Sequence, residues 1–384
     1  MTQKNVYLDY AAATPMGKEV LEVMQPYFTE KFYNPSATYL TAQTTKKELD
    51  AARAKVAQTI GAKPSEIVFT AGGTEANNLA IKGVLEQYPG SEVLVSSVEH
   101  ESVLAPAEHF THAQIPVLPD GTVDLEKLKS LITDKTVLIS VMYANNEVGT
   151  IQPVRKIAQI ARVVRDERRK VGNLLPLYVH TDACQAGNYL DLHVSRLDVD
   201  LMTINGGKIY GPKQSGALFV ASHVRLKPQI EGGGQERNLR SGTENVAQAV
   251  GFAEALERAQ SSRHEHSEQM RALQDYFITA LQSKVPEAII NGAKKHRLPN
   301  NVHITIPGED NELLIFALDE KGILAAAGSA CSASNEEPSH VLRAMGISDA
   351  DAQASLRLTL GKHTTKEDLD YTVQSLAEIL YTKA

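Results

Sequence analysis

The sequence predicts an α/β fold, with a large unit built on a mostly parallel sheet covered by helices and a smaller α+β unit after it. Two observations carry this. Short β-branched runs alternate with stretches of helical periodicity through the first half, and strand–helix repetition at that spacing builds parallel sheets. From about Val246 the pattern changes to a long charged helical stretch and then to short alternating segments.

Residues 6–9 form a short extended segment, and 18–27 a candidate helix. Over 46–60, Leu49, Ala52, Val56 and Ile60 share one stripe, and Gly61 stops the helix. Residues 66–70 read as a strand that ends in the turn Ala71-Gly72-Gly73, with a helix from Thr74 through Leu85. Strands follow at 93–96 and 137–142, a helix at 154–164, and further strands at 178–180, 201–204 and 217–220. In the helical stretch 247–285, Met270, Leu273, Phe277 and Leu281 mark one buried face. Segments 301–306, 313–318, 323–326 and 355–360 and a last helix from Lys366 make the smaller unit, whose boundary falls near residue 260.

Composition narrows the function classes. The 384 residues are 42% hydrophobic and 22% charged, as in a soluble globular chain rather than a disordered one. Thirty-nine basic against 46 acidic residues give a net charge of -7, which argues against a broad nucleic-acid surface. No apolar run approaches the roughly 18 residues of a membrane span, and the first nine residues are no secretory signal, so the expected location is cytoplasmic. Two cysteines, Cys184 and Cys331, cannot make a disulfide framework. His264 and His266 point to different helix faces, and no zinc pattern exists, so no metal site is expected. The basic run Arg162, Arg165, Arg168, Arg169 and Lys170 reads as a solvated helix face.

In open α/β sheets ligands sit beyond the C-terminal strand ends, where the unusual residues cluster. Gly72-Gly73-Thr74 after a strand offers amide donors and a hydroxyl to an anion, or simply caps a helix. Asp182 closes the strand His180-Thr181-Asp182, either as a turn carboxylate or as the buried partner of a protonated ring nitrogen. Lys208, in Asn205-Gly206-Gly207-Lys208, is either a surface lysine or an amine placed to form a Schiff base with an aldehyde. Anion cradle, carboxylate and lysine in this order are what pyridoxal phosphate requires. Cys331 lies among small polar residues from Gly328 to Asn335, a setting that suits a reactive thiol in a loop better than a core cysteine.

Several segments together resemble the cysteine desulfurases of the pyridoxal-phosphate fold-type I superfamily, in the iron–sulfur-cluster and nitrogen-fixation branch with the long cysteine loop. They are Leu8-Asp9-Tyr10-Ala11-Ala12-Ala13-Thr14, Thr70-Ala71-Gly72-Gly73-Thr74-Glu75-Ala76-Asn77-Asn78, Glu99-His100 and Asn145-Asn146-Glu147-Val148-Gly149. His180-Thr181-Asp182-Ala183-Cys184-Gln185, Lys208-Ile209-Tyr210-Gly211-Pro212-Lys213, Arg240-Ser241-Gly242-Thr243 and Gly328 to Ser332 complete the set, in the family's order over nearly the whole chain. The resemblance implies an aminotransferase-like large domain with a seven-stranded sheet; on this reading residues 15–260 are that domain, and 1–14 with 261–384 form the small one.

The resemblance also implies roles. Lys208 would condense with the cofactor aldehyde and shuttle protons, Asp182 would pair with the ring nitrogen, and Gln185 would donate to the ring hydroxyl. His100 would stack on the ring and assist proton transfer. Gly73, Thr74 and Asn205 would hold the phosphate, joined by Thr243 from the other subunit of a homodimer. Gly232-Gly233-Gly234-Gln235 could itself cradle a phosphate, but it lacks a following helix signature and reads as a flexible loop near the dimer seam. Asn146 and Arg357 would bind the carboxylate of L-cysteine, and Cys331 would accept its sulfur as a persulfide for an acceptor or iron–sulfur scaffold protein. One departure stands out. Where the family reads serine-glycine-histidine before the lysine, this chain has Asn205-Gly206-Gly207, so a phosphate donor is missing and weaker cofactor retention is expected. Competing readings are a selenocysteine lyase or another pyridoxal-phosphate lyase or transaminase, and a catalytically weakened docking protein for sulfur relay. A transaminase has no use for Cys331, and the joint presence of Lys208, Asp182, His100, Arg357 and Cys331 argues against decay.

Overall fold

The computed structural model describes residues 5–328 and 338–381. The strands are β1 (Val6–Tyr7), β2 (Ile67–Thr70), β3 (Glu92–Ser96), β4 (Thr111–Ile115), β5 (Thr136–Ser140) and β6 (Tyr178–Asp182). They continue with β7 (Leu201–Asn205), β8 (Gly216–Val220), β9 (Ile289–Ile290), β10 (Asn301–Thr305), β11 (Ile323–Leu324) and β12 (Ser355–Thr359). Seven of them form one sheet in the order β2-β8-β7-β6-β5-β3-β4. It is parallel from β4 to β7, and β8 runs against both its neighbours.

The central strands β5, β6 and β8 are buried at every residue, because helices cover both sheet faces; in β6 that burial includes the polar His180, Thr181 and Asp182. One layer packs Ile60, Ile67, Ile139, Met202 and Phe252, and the other packs Val68, Leu79, Val84, Leu138 and Leu218. A further core gathers Phe277, Leu281, Ile304, Leu356 and Leu376 with Val6 and Leu8 from the start of the chain. It underlies the antiparallel sheet β12-β10-β9 and the parallel pair β1-β11. The Thr359 amide donates to Leu8 O at 2.7 Å, so the N-terminal segment is led along this second core to the ends of the large sheet.

Four local readings change. The strand β4 escapes the sequence pattern because it is an edge strand with Thr111, His112 and Gln114 exposed or half-exposed, so it has no apolar run to see. The stretch 247–285 is two helices, Val246–Ser261 and Arg263–Lys284, interrupted at Ser262. The helix expected over 46–60 begins earlier and spans Leu40–Ile60. Arg168, in the helix Val154–Lys170, is not solvated: it is 4% exposed and donates to the carbonyls of Thr133, Thr136 and Pro176. Those carbonyls lie outside the helix that carries Arg168, and the guanidinium donates to three of them at once. Arg162 and Arg169 keep the solvated face.

Candidate active site

Turns at the strand ends build a cavity of about 170 Å³. Gly73, Thr74, His100, Asn146, Asp182, Gln185, Asn205, Lys208 and Arg357 all line it, so nearly every residue singled out in the sequence meets in one place. Thr243 does not: it is exposed in an outer groove beside Ala71, Gln214 and Arg240. Cys331 lies outside the described residues.

The anion cradle follows from the turn after β2. Gly72 has φ 131, where a side chain is strained, and this lets the chain turn at once into the 15-residue helix Gly73–Gln87. Thr74 is exposed at its first turn. From the end of β7, the Asn205 carboxamide accepts the Gly207 amide at 2.9 Å through Oδ1, which leaves its NH2 to face Gly73. These donors converge with the helix dipole on one spot.

Asp182 ends β6 and is 7% exposed. Its Oδ2 accepts from Asn77 at 2.6 Å and its Oδ1 from the Cys184 amide at 2.9 Å, and it makes no ion pair among the described residues. A carboxylate buried with neutral donors alone is suited to receive a cationic N–H from inside the cavity. Neighbouring His180 is fully buried between Ser140 and Thr203, and burial lowers its pKa to about 4, so it is neutral. His100 accepts the Ser102 amide at Nδ1, which puts the proton of the neutral ring on Nε2. Burial and the adjacent Asp182 push the Cys184 thiol well up, so this cavity-lining cysteine stays protonated and is no nucleophile.

Lys208 Nζ donates to the carbonyls of Ala11 (2.9 Å) and Ala12 (2.5 Å), and Gln185 Nε2 to Ala11 O (3.0 Å). Arg357 Nη2 pairs with Asp9 Oδ1 at 2.6 Å, and its Nη1 donates to Asn146 O at 3.2 Å. Its Nε is buried without a partner. Sequence reasoning assigned no role to Asp9, Asn77 or Ser102. Asp9 and Asn77 lie within the motifs around Tyr10 and Thr74, and Ser102 just after Glu99-His100, but the contacts cross as many as 348 positions of chain.

A pyridoxal phosphate fits these residues: unpartnered donors for its phosphate, a cation-free carboxylate for its ring nitrogen, and a lysine amine. Residues 6–372 match the family model described as Aminotransferase class-V. A protein named cysteine desulfurase IscS from Dictyoglomus turgidum is 42% identical over 385 residues, covering 98% of this chain and 95% of its own. Among solved structures, a NifS-like protein superposes with a TM-score of 0.89 at 33% identity, over 98% of this chain and 99% of its own. One described as SspA in complex with cysteine gives 0.79 at 33% identity, over 94% of this chain and 100% of its own. The chain belongs to the class-V aminotransferase family and, within it, to the pyridoxal-phosphate-dependent cysteine desulfurases of the IscS and NifS-like kind.

Proposed function

We propose that this protein takes sulfur from L-cysteine, releases L-alanine, and leaves a persulfide on Cys331 for acceptor proteins of iron–sulfur-cluster or other thio-product assembly. The observation that carries the reading is the meeting of Lys208, Asp182, Thr74 and Arg357 in one cavity. Bound pyridoxal phosphate supplies an electron sink for the pair left when the substrate Cα proton is removed. Gly73, Thr74 and Asn205 hold its phosphate, Asp182 keeps a proton on its ring nitrogen, and Gln185 has a second N–H for its hydroxyl.

Arg357 and Asn146 orient the substrate carboxylate, and the ion pair with Asp9 fixes the guanidinium plane beforehand. Lys208, anchored at the Ala11 and Ala12 carbonyls, moves the Cα proton. Cys331, as thiolate, attacks the substrate sulfur: an S–S bond forms, the C–S bond breaks, and the carbon left behind takes a proton to give alanine. His100 lines the same cavity and would stack on the cofactor ring.

The exposed Thr243 is read as reaching the phosphate of the other subunit in a homodimer. Residues 15–260 are assigned to the cofactor domain, and 1–14 with 261–384 to the small domain. Among the described residues no helix is long and apolar enough to cross a membrane; we assign the protein to the cytoplasm. The test is to incubate the holoenzyme with L-cysteine and a reductant and to quantify alanine, with Cys331→Ala in parallel. Alanine from the wild type alone is expected. No alanine from cofactor-saturated wild type would sink the desulfurase reading, and equal alanine from both proteins would remove Cys331 from the chemistry.

A further inference from the structure

Beside the cavity, and continuous with it through Gly73, Thr74, Asn205 and Lys208, runs a groove whose wall includes Gly207 and Lys213. A phosphate in the cradle brings a dianion next to this wall. The cradle donors already described, the Gly73 amide, the Thr74 hydroxyl and the Asn205 carboxamide, are all neutral. The groove's carboxylate, Glu75, is neutralised from behind by Arg240 at 2.8 Å. Two cations line the groove among the described residues, Lys208 and Lys213. Lys208 is committed to the aldehyde, which leaves Lys213 to balance the phosphate.

The local geometry allows it. Gly207 contributes no side chain, and a Cβ built there would lie 3.8 Å from both Cα and Cγ of Lys213, so the lysine stem runs alongside an open wall. The ammonium donates to Thr14 O at 2.5 Å, which uses one of its three N–H groups and holds it on the same strap that anchors Lys208. Charge-assisted hydrogen bonds to phosphate are roughly twice as strong as neutral ones. We propose that Lys213 is a cofactor-phosphate ligand of this protein, supplying the counter-charge along the wall that Gly207 leaves open. The inference rests on the pyridoxal-phosphate reading of the cavity.

The experiment is equilibrium dialysis of the apoenzyme against pyridoxal phosphate, pyridoxal, and pyridoxal with inorganic phosphate, for wild type, Lys213→Met and Lys213→Arg. Lys213→Met is expected to raise the Kd for pyridoxal phosphate about ten- to a hundredfold. Pyridoxal binding should stay unchanged, and Lys213→Arg should retain most of the affinity. An unchanged Kd for pyridoxal phosphate in Lys213→Met overturns the assignment. So does an equal rise for both compounds, which would mean the lysine only braces the strap at Thr14. Should the variants fail to fold, acetic anhydride labelling of the wild type reads the same question. Lys213 protected by pyridoxal phosphate but not by pyridoxal supports the assignment; equal labelling overturns it. If wild type binds neither compound, the cofactor reading itself fails, an outcome distinct from loss of the Lys213 contribution alone.

Discussion

At the proposed phosphate cradle, Asn205 and Gly207 divide the available donors between side chain and backbone. Asn205 spends its carbonyl oxygen on the Gly207 amide and keeps its NH2 for the cradle, while Gly207 offers only backbone. A Cβ at Gly207 meets nothing closer than 3.4 Å, and its φ is not in the left-handed region, so the backbone there accepts a side chain. Gly207→His is therefore expected to tighten pyridoxal phosphate binding by about 1.5 kcal/mol or more; dialysis against the free cofactor measures it, and no change would mean that Lys213 and Asn205 already saturate the phosphate. Arg357 supports a second expectation. Its guanidinium uses Asp9 and Asn146 O as a frame, and lysine cannot keep that frame while gripping a carboxylate bidentately. Arg357→Lys should raise KM for L-cysteine at least about tenfold, with a smaller effect on kcat; steady-state kinetics decide it, and an unchanged KM removes Arg357 from substrate binding.

The helix Leu40–Ile60 is tied to the segment before Thr243 by a buried ion pair. Arg53 Nη1 and Nη2 meet Glu236 Oε2 and Oε1 at 2.6 and 2.7 Å, and Glu236 also accepts the Phe69 amide of β2. The side chains are 10% and 3% exposed, so neither charge can turn to water when its partner is lost. Glu236→Gln leaves Arg53 buried and uncompensated and should cost about 3–5 kcal/mol, read as a lower urea midpoint; a loss below about 1 kcal/mol would mean that water reaches the site. Glu236, Arg237 and Asn238 all hold positive φ, at 47, 58 and 64°, a costly run for residues with side chains. The ion pair and the Arg237 bond to Ile67 O hold this turn against β2. It leads directly into the segment that carries Thr243.

Two buried imidazoles make the stability of the whole chain sensitive to mild acid. Burial holds His180 at about 4, and burial with the charges of Arg297 and Arg357 holds His303 at about 3. Both lie below the unfolded value of about 6.5, so their contribution is full above that pH and is lost as pH falls through the folded values. Each residue should therefore reduce stability by about 1.4 kcal/mol per pH unit below 6.5. Urea unfolding at pH 7 and pH 5 is expected to show this loss, and His303→Gln should flatten the slope; equal slopes for wild type and variant would show that His303 titrates normally in the fold.

Much of the architecture was legible because it is locally encoded. Strands β2, β3, β5, β7 and β8 are largely apolar runs, and Gly61 and Gly72 mark a helix end and a helix start. The order of cradle, Asp182 and Lys208 at strand ends points to the cofactor chemistry from the sequence. The edge strand β4 was invisible because its outward side chains meet water, and Arg168 misread as solvated because periodicity cannot report carbonyls that lie outside its own helix. The pairing of Arg357 with Asp9, and of Lys208 and Lys213 with the Ala11, Ala12 and Thr14 carbonyls, depended on β1 docking beside β11. The sequence by itself determined most of the elements and the family, since these follow from side-chain chemistry and short-range pattern. Tertiary structure alone decided what holds each charge, because counter-charges and carbonyl dipoles act through a few ångströms of space whatever the separation along the chain.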